Sequence, residues 1–249
     1  MTITLYDLPS KLAVKGWSPN PWKARLALNI KGLPYKTIWV ELPDVERVCK
    51  DIGAKPTGTW RTGTPLYTLP IIHDDTNNAV ISDSFEIARY LDDQYPDTIP
   101  MFPKGSHTLQ AAFKEAHERV ALVHLYPLMG VTMVRQLNAP SEHYYRTKKG
   151  PSSGATFEEV DLKGEARVEQ WKKVREGHEI IASWFSKNEE GQFVMGKDVS
   201  FADTMLVAWL RVVGLIYGEE SDEWKAVLSW QDGWWARYLK QFDQYLAVV

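Results

Sequence analysis

The feature that most constrains the fold is a change of pattern near residue 100. Before it, segments with the alternation of strands occur beside helical segments, whereas after it only the helical repeat of about 3.6 residues recurs. The segment between them, 98–106 (TIPMFPKGS), contains two prolines and a glycine, which is typical of a linker. We therefore predict an α/β domain over 1–97, this linker, and an all-helical bundle domain over 107–249.

The first domain begins with the pattern of a strand, a helix and a strand. Strands are predicted over 2–8 and 36–41. Between them, Asn20 is a suitable N-cap, Pro21 suits the first helical position and Gly32 suits the C-terminal end. Two strands joined by a helix favour parallel pairing.

The rest of the first domain predicts a loop, a hairpin and a helix. The stretch 43–65 is rich in loop-forming residues, and the segments LPIIHD and AVIS flank a cluster of turn residues, which indicates an antiparallel hairpin. Asp83 and Ser84 then precede a helix that ends near Pro96, and Ser84 is a suitable cap. The predicted order is β-α-β followed by β-β-α.

The second domain contains helical patterns and one long polar segment. Helices are predicted over 107–137, with Pro127 kinking or splitting it, and over 163–187, 201–217 and 232–247. The polar segment 138–161 carries GPSSG at 150–154 and is too long for a simple connector, so we expect a lid or a disordered segment. Ser200 and Asp203 form a capping box, which predicts a buried helix and no role in binding.

The composition excludes several classes of function. A net charge of −3 gives none of the basic excess of a dedicated nucleic-acid binder. Cys49 is the single cysteine, which excludes a disulfide within the chain, and the six histidines are not at ligand spacing, so we predict no metal site. The sequence has no run of about 18 apolar residues and no apolar signal core, so we expect a cytoplasmic protein without a membrane segment.

Three local motifs can bind a ligand, and each also has a purely structural interpretation. Ser18 precedes a helix N-terminus, which favours an anion such as a thiolate, or it is an ordinary loop residue. A cis bond at Leu69-Pro70 would expose the Leu69 backbone to an extended peptide, whereas a trans strand-entry proline would not. Asp83 and Ser84 suit the ammonium and carboxylate groups of an α-amino acid, or they only cap a helix.

Several segments together resemble one known family. The segments TLPII, SDSFEIARYLDDQYP and VSFADTMLVAWL, in this order, resemble the cytosolic glutathione transferases, and the resemblance covers essentially the whole chain. The segments WSPNPWKARLALNIKGLPYKTIWVE and TPLYTLPII are similar to the fungal-specific A class of wood-degrading fungi, which is related to the bacterial β-etherase group. The resemblance implies a thioredoxin-like N-terminal domain that binds glutathione, a helical C-terminal domain, an acceptor pocket between them, and a homodimer.

The resemblance implies roles for four residues of the glutathione site. Pro70 matches the cis-proline of the family, and the Leu69 backbone would pair with the cysteinyl part of glutathione. Asp83 and Ser84 match the pair that holds the γ-glutamyl group.

The resemblance also identifies the candidates for thiol activation. Ser18 occupies the position of the thiol-activating residue, with Asn20 as the nearest substitute. Cysteine-type relatives carry Cys-Pro-Phe where this chain has Ser18-Pro19-Asn20, and a serine cannot form a mixed disulfide, so thiolate stabilisation is favoured over thiol–disulfide exchange. Tyr6 is a rival activator near the end of the first strand, although its alternation with its neighbours favours a position in the strand core.

Two parts of the ligand site stay open. Lys55, Arg61 and Trp22 are alternative candidates to hold the glycine carboxylate of glutathione. The candidates for the acceptor pocket, which also suit a helical core, are Tyr126, Met129, Met133 and Trp209. The 11 Trp and 11 Tyr favour hydrophobic aromatic or phenolic ligands.

The functions that remain share one fold. The first is a transferase that stabilises the glutathione thiolate and adds it to an aromatic electrophile, with glutathione as co-substrate and no metal. The second is a carrier of polyphenolic ligands on the same fold, and the third is glutathione-dependent cleavage of an aryl ether. A regulatory protein on this fold is a fourth, which the absence of an extra domain or an Asn-rich arm disfavours.

Overall fold

The computed structural model describes residues 2–151 and 154–249. Its strands are β1 (Ile3–Asp7), β2 (Tyr35–Trp39), β3 (Gly58–Thr59), β4 (Pro65–Leu66), β5 (Ile71–Asp74) and β6 (Ala79–Ser82). Its helices are α1 (Pro19–Ile30), α2 (Val45–Asp51), α3 (Ser84–Gln94), α4 (His107–His117), α5 (Val123–Gln136), α6 (Ala139–Lys148), α7 (Phe157–Val160), α8 (Gly164–Phe185), α9 (Phe201–Tyr217) and α10 (Asp222–Lys240). A π-helical stretch (Glu118–Leu122) joins α4 to α5, and short 3₁₀ turns lie at Leu42–Asp44 and Asp243–Tyr245.

A mixed sheet forms the first half of the chain. Its strands lie in the order β2-β1-β5-β6, and β1 pairs parallel with β2 and antiparallel with β5. Every residue of the central strand β1 is buried, because α1 and α3 contribute to the core on one face while α2 covers the other through Val45 and Cys49. The predicted α/β first half with parallel crossover and antiparallel hairpin is confirmed.

The first helix begins earlier than the sequence predicted. We expected Asn20 as the N-cap, but Ser18 is the N-cap and Pro19 is the first helical residue. The prediction was wrong because the fixed φ of Pro19 suits a first helical position as well as Pro21 does, so the Ser-Pro pair starts the helix. The predicted C-terminal glycine is confirmed, since Gly32 has a φ of 67° directly after the helix.

Two stretches predicted as loops contain helices. The stretch 43–65 includes α2, which was missed because only two of its seven residues are buried and the others are mostly charged. The segment 138–161 includes α6 and α7. A bidentate salt bridge connects these two helices, in which Arg146 donates to both carboxylate oxygens of Glu158 at 3.0 Å. The GPSSG loop predicted at 150–154 includes Ser152 and Ser153, which lie outside the described residues.

The second half of the chain consists of packed helices. Pro127 lies inside α5, and the π-helical stretch just before that helix interrupts the regular pattern. The last helix was predicted over 232–247. In the structure α10 has an earlier helical part from Asp222 that was missed, a break with non-helical backbone at 230–233, and a second helical part that follows the break and ends at Lys240. Along the described chain, no helix is both long and apolar enough to cross a membrane.

The helix α9 lies at the centre of the second half, as its capping box predicted. The main-chain N–H and the hydroxyl of Ser200 both donate to Asp203 Oδ2 at 2.8 Å. The other carboxylate oxygen accepts from the N–H of Val194 at 2.8 Å and from the hydroxyl of Tyr238 at 2.7 Å. Burial raises the pKa of Asp203 to about 6. The capping box therefore connects three segments inside the core and does not reach a ligand cavity.

Candidate active site

A cavity of about 710 Å³ lies between the two halves of the chain. Small-molecule sites usually have volumes of roughly 300–1,000 Å³. Its wall includes the loop before α1, the entry to β5 and the start of α3, together with residues of the π-helical stretch, α5 and α9. Ten of the residues predicted for the site line this cavity, and they are Ser18, Asn20, Leu69, Pro70, Asp83, Ser84, Tyr126, Met129, Met133 and Trp209.

The serine at the start of α1 places its hydroxyl at the cavity. Ser18 is 7% exposed, and its side chain makes no capping hydrogen bond. Among residues 2–151 and 154–249 the hydroxyl has no hydrogen-bond partner, so it is available to a ligand in the cavity. A helix N-terminus favours negative charge through its unpaired N–H groups and its dipole. Asn20 lies two residues further along on the same helix and is exposed.

The bond between Leu69 and Pro70 is cis, as the sequence motif predicted. The pairing of β5 with β1 begins at Ile71, opposite Tyr6, so Leu69 lies just before the start of the strand pairing. Its side chain packs in a small core cluster and is 4% exposed. The main chain at Leu69 therefore borders the cavity without being part of the sheet.

The start of α3 carries a carboxylate with one uncommitted oxygen. We expected Ser84 as the cap, but Asp83 is the N-cap, and its Oδ1 accepts from the N–H groups of Phe85 at 2.8 Å and Glu86 at 3.3 Å. The prediction was wrong because a carboxylate with a positive φ reaches two N–H groups, which leaves Ser84 as the first helical residue. In the described part of the chain, Asp83 Oδ2 and the Ser84 hydroxyl have no hydrogen-bond partner.

Charged groups that the sequence analysis missed border the same end of the cavity. Lys23 on α1 is 7% exposed and lines the cavity beside Lys114, His117 and Glu118 of the second half. Burial lowers the pKa of Lys23 to about 8, and the nearby Asp83 carboxylate opposes that shift. The sequence did contain one indication that Lys23 belongs to the site: it lies three residues after Asn20, which places both residues on one helix face.

The wall formed by α5 and α9 is aromatic and apolar. The rings of Tyr126 and Trp209 lie 5.5 Å apart between centroids, and Met129 is buried while Met133 is half-buried. The Tyr126 hydroxyl donates to Glu118 Oε2 at 2.8 Å. Burial and this carboxylate raise the pKa of Tyr126, so it stays a neutral hydrogen-bonding phenol.

Residues of the 138–161 segment form a further part of the cavity wall. Tyr145 of α6 contacts Trp17 edge-on at 6.4 Å and Phe157 of α7 at 5.7 Å between ring centroids. Lys149 follows α6 and lies 5.3 Å from the ring of Trp60, which precedes β4. These five residues line the cavity, so α6, Lys149 and α7 contribute to its wall.

Four other candidate residues do not line the cavity. Tyr6 is buried in the sheet core, as its alternation suggested, and burial raises its pKa above the ordinary value of 10.0. Lys55, Arg61 and Trp22, the alternatives for the glycine carboxylate, also lie outside the cavity lining. The indole of Trp22 donates to the carbonyl of Gly16 at 3.1 Å and is fully buried, so Trp22 is a core residue. Across the residues that the structure describes, no three His, Cys, Asp or Glu side chains group as metal ligands.

Comparison with known families decides what this fold and cavity belong to. The family model for the glutathione S-transferase C-terminal domain matches residues 108–245, and the model for the N-terminal domain matches residues 17–94. This chain belongs to the glutathione S-transferase family. The fold predicted from the resemblance, an α/β domain followed by a helical domain, is therefore confirmed.

Solved structures are similar to this transferase along its whole length. A glutathione S-transferase of Ceriporiopsis subvermispora in complex with glutathione is 43% identical, with 99% of this chain and 98% of that chain covered and a TM-score of 0.95. Glutathione transferase GSTFuA3 from Phanerochaete chrysosporium is 36% identical, with 100% and 99% covered and a TM-score of 0.94. These fungal structures confirm the resemblance found in the sequence.

More distant proteins share lower sequence identity with this transferase. The glutathione S-transferase-like protein ustS of Aspergillus flavus is 27% identical over 243 residues, which is 88% of this transferase and 86% of that protein. The β-etherase LigF from a Sphingobium strain is 15% identical with a TM-score of 0.59, so it shares the fold. These relatives share the transferase class with this chain. The roles of individual residues are inferred from the cavity of this chain.

Proposed function

We propose that this transferase binds glutathione along Leu69, Asp83 and Ser84, stabilises its thiolate with the Ser18 hydroxyl, and transfers it to hydrophobic aromatic electrophiles. The observation that carries the proposal is the free hydroxyl of Ser18 at the N-terminus of α1, in the same cavity as the free polar groups at the start of α3. Asn20 is the second group at this helix end that can stabilise the sulfur.

The binding of glutathione follows from the shape of the tripeptide. The main chain of Leu69, held by the bond to Pro70, can pair with the extended cysteinyl part of the ligand. Asp83 Oδ2 can accept from the ligand ammonium, while the Ser84 hydroxyl and the N-terminus of α3 can hold its carboxylate. This order places the γ-glutamyl group at α3 and the cysteinyl sulfur towards Ser18.

The chemical step requires the thiolate and not a base. A free thiol has a pKa of about 8.5, so only a few per cent is ionised at neutral pH. A hydrogen bond to a charged group contributes about 1.5–3 kcal/mol, and one pKa unit corresponds to about 1.4 kcal/mol, so a single hydroxyl donor can lower the thiol pKa by about one to two units. The thiolate then forms the sulfur–carbon bond, and the leaving group departs with its electron pair.

The acceptor side of the proposal rests on the aromatic wall. The rings of Tyr126 and Trp209 line the cavity beside Met129 and Met133, whose flexible thioether side chains adapt to ligands of different outline. Flat aromatic electrophiles match these surfaces better than linear or strongly charged molecules do. We therefore assign the acceptor subsite to the helical half of the cavity.

The proposal is tested by titrating the ultraviolet absorbance of the bound glutathione thiolate. We expect the unaltered protein to lower the thiol pKa and Ser18→Ala to return it by about one unit or more towards the free value. The control is Ser183→Ala, which removes an exposed hydroxyl on α8 that bonds only within its own helix, and it should leave the titration unchanged.

Each other outcome identifies a different function or residue. Glutathione that binds with an unshifted thiol pKa would contradict the transferase mechanism and favour a carrier of aromatic or polyphenolic ligands. A lowered pKa that persists in Ser18→Ala would move the role to Asn20, which lines the cavity, and not to Tyr6, which does not. Release of a phenol from a model aryl ether would add glutathione-dependent ether cleavage to the activity.

The remaining expectations are part of the same proposal. We propose a homodimer in the cytoplasm, and sedimentation of the purified protein tests the dimer. We also propose that the linker 98–106 separates two domains, 1–97 and 107–249, because it lies between α3 and α4. Cleavage by limited proteolysis inside that linker would support the boundary.

A further inference from the structure

Lys23 is a buried cation that has no hydrogen-bond partner among the described residues. Its residue is 7% exposed, and its side chain lines the cavity from the second turn of α1. Within residues 2–151 and 154–249, its ammonium makes no hydrogen bond and no ion pair. A buried charge that lacks a partner costs several kcal/mol. A ligand anion in the cavity would remove much of that cost.

The charged groups that act on Lys23 come from three other elements. Asp83 lies at the start of α3, Lys114 lies on α4, and Glu118 begins the π-helical stretch. His117 also lines the cavity, but burial lowers its pKa to about 3, so it is neutral. Asp83 is the carboxylate whose charge acts most strongly on the ammonium. Its Oδ1 is committed to the helix cap, which leaves one oxygen for a ligand.

This pairing of charges matches one end of glutathione. The γ-glutamyl end carries an ammonium and a carboxylate on the same carbon, whereas the glycine end carries only a carboxylate. A site with one free carboxylate oxygen and one free ammonium is complementary to the first end and not to the second. The neighbouring Ser84 hydroxyl adds a donor for the same carboxylate.

We propose that Lys23 is a glutathione-binding residue whose ammonium holds the α-carboxylate of the γ-glutamyl group while Asp83 holds its α-ammonium. The inference rests on the proposed function, since it assumes that glutathione occupies this cavity. It adds to that function a salt-bridging cation on α1, the helix that also carries Ser18. One helix, α1, therefore takes part both in recognition of the γ-glutamyl end and in positioning of the sulfur.

The test uses two peptides that differ only in the α-carboxylate. S-Methylglutathione has no titrating thiol, and the same peptide with a 4-aminobutyryl group in place of γ-glutamyl lacks only that carboxylate. By calorimetry at pH 7, we expect Lys23→Met to weaken S-methylglutathione binding by about 10- to 100-fold. Binding of the 4-aminobutyryl peptide should not weaken further in this variant. Lys149→Met, which removes a cavity-lining lysine beside Trp60, should keep the discrimination between the two peptides.

A second readout separates charge from packing. Because burial lowers the pKa of Lys23 to about 8, the unaltered protein should lose affinity for S-methylglutathione as the pH rises above 8. Lys23→Arg keeps its charge at these pH values, so it should retain affinity to higher pH. The ligand ammonium titrates equally in both proteins, so the difference between the two profiles reports on Lys23. Thermal melting checks that each variant is folded.

Two results would overturn the inference, and a third would overturn the proposed function. Equal weakening of both peptides by Lys23→Met, or no weakening of either, would show that the ammonium does not hold the α-carboxylate. Coincident pH profiles for the unaltered protein and Lys23→Arg would do the same. Failure of the unaltered protein to bind S-methylglutathione at all would instead overturn the proposed function on which the inference depends.

Discussion

Replacing Gly177 by alanine should destabilise the protein strongly, although the residue lies in the middle of a helix. Gly177 is buried in α8, which packs against the π-helical stretch. A Cβ atom at this position would press on the carbonyl oxygen of Val120 and lie 2.8 Å from its carbonyl carbon and 2.9 Å from the Cα of Ala121. Ordinary contacts of a Cβ atom are 3.4–4 Å. All three neighbours are main-chain atoms, so no rotamer change can relieve the contact.

The magnitude follows from two opposing effects. Alanine is favoured over glycine in a helix by about 1 kcal/mol. Overpacking of a core usually costs about 1–3 kcal/mol, and a clash with rigid main chain belongs at or above the upper end of that range. We therefore expect a net loss of about 2–3 kcal/mol in the free energy of unfolding, which corresponds to a fall in Tm of about 4–12 °C for a chain of this length.

Urea unfolding followed by circular dichroism measures this loss as a lower midpoint at an unchanged slope. Gly214→Ala in α9 is the matched control, because its Cβ would meet only the side chain of Trp224, at 3.0 Å. An indole ring can move by a few tenths of an ångström, so we expect a change within about 1 kcal/mol for the control. Equal or greater stability of Gly177→Ala relative to Gly214→Ala would refute the steric argument.

Two further predictions concern pH dependence and the acceptor. Burial raises the pKa of Asp203 from 3.8 to about 6, so protonation favours the folded state, and stability should fall by up to about 3 kcal/mol as the pH rises from about 4 to 6. Asp203→Asn should lack this part of the slope, and an unchanged slope in urea titrations would contradict the assignment. Trp209→Ala should raise the KM for aromatic acceptors several-fold. The pKa of the bound thiol should stay constant, because Trp209 lies on α9 and Ser18 on α1. A shifted thiol pKa would count against separate subsites.

The sequence predicted the parts of the fold that depend on local signals. Gly32 after α1 and the capping box of Ser200 and Asp203 act within a few residues, so their patterns suffice. The helix α2 was missed because it is mostly charged and is fixed by packing Val45 and Cys49 against the sheet, which is a tertiary effect. Local patterns therefore indicate where elements begin and end, but not which polar segments become helices by packing.

The candidate site likewise contains residues that the sequence predicted and residues that it did not. The polar groups at Ser18 and Asp83 lie at helix starts, where the sequence shows the required residue types directly. Lys23 was not predicted because a lysine in an amphipathic helix is usually solvated, whereas tertiary packing around α1 buries this one. The contribution of Lys149 likewise depends on how α6 folds over the cavity.

The position of α1 has a consequence for how the chain is made. The helix is buried on nearly all sides, because the sheet and α3 cover one face and α9 covers the other. Asn29 near its end also donates to the carbonyl groups of Tyr245 and Ala247 at the C-terminal end of the chain. During synthesis, the ribosome completes α1 long before α9 exists, so an apolar helix face stays uncovered while most of the polypeptide is still being added. The nascent first half is therefore the stage at which this protein most needs protection from aggregation.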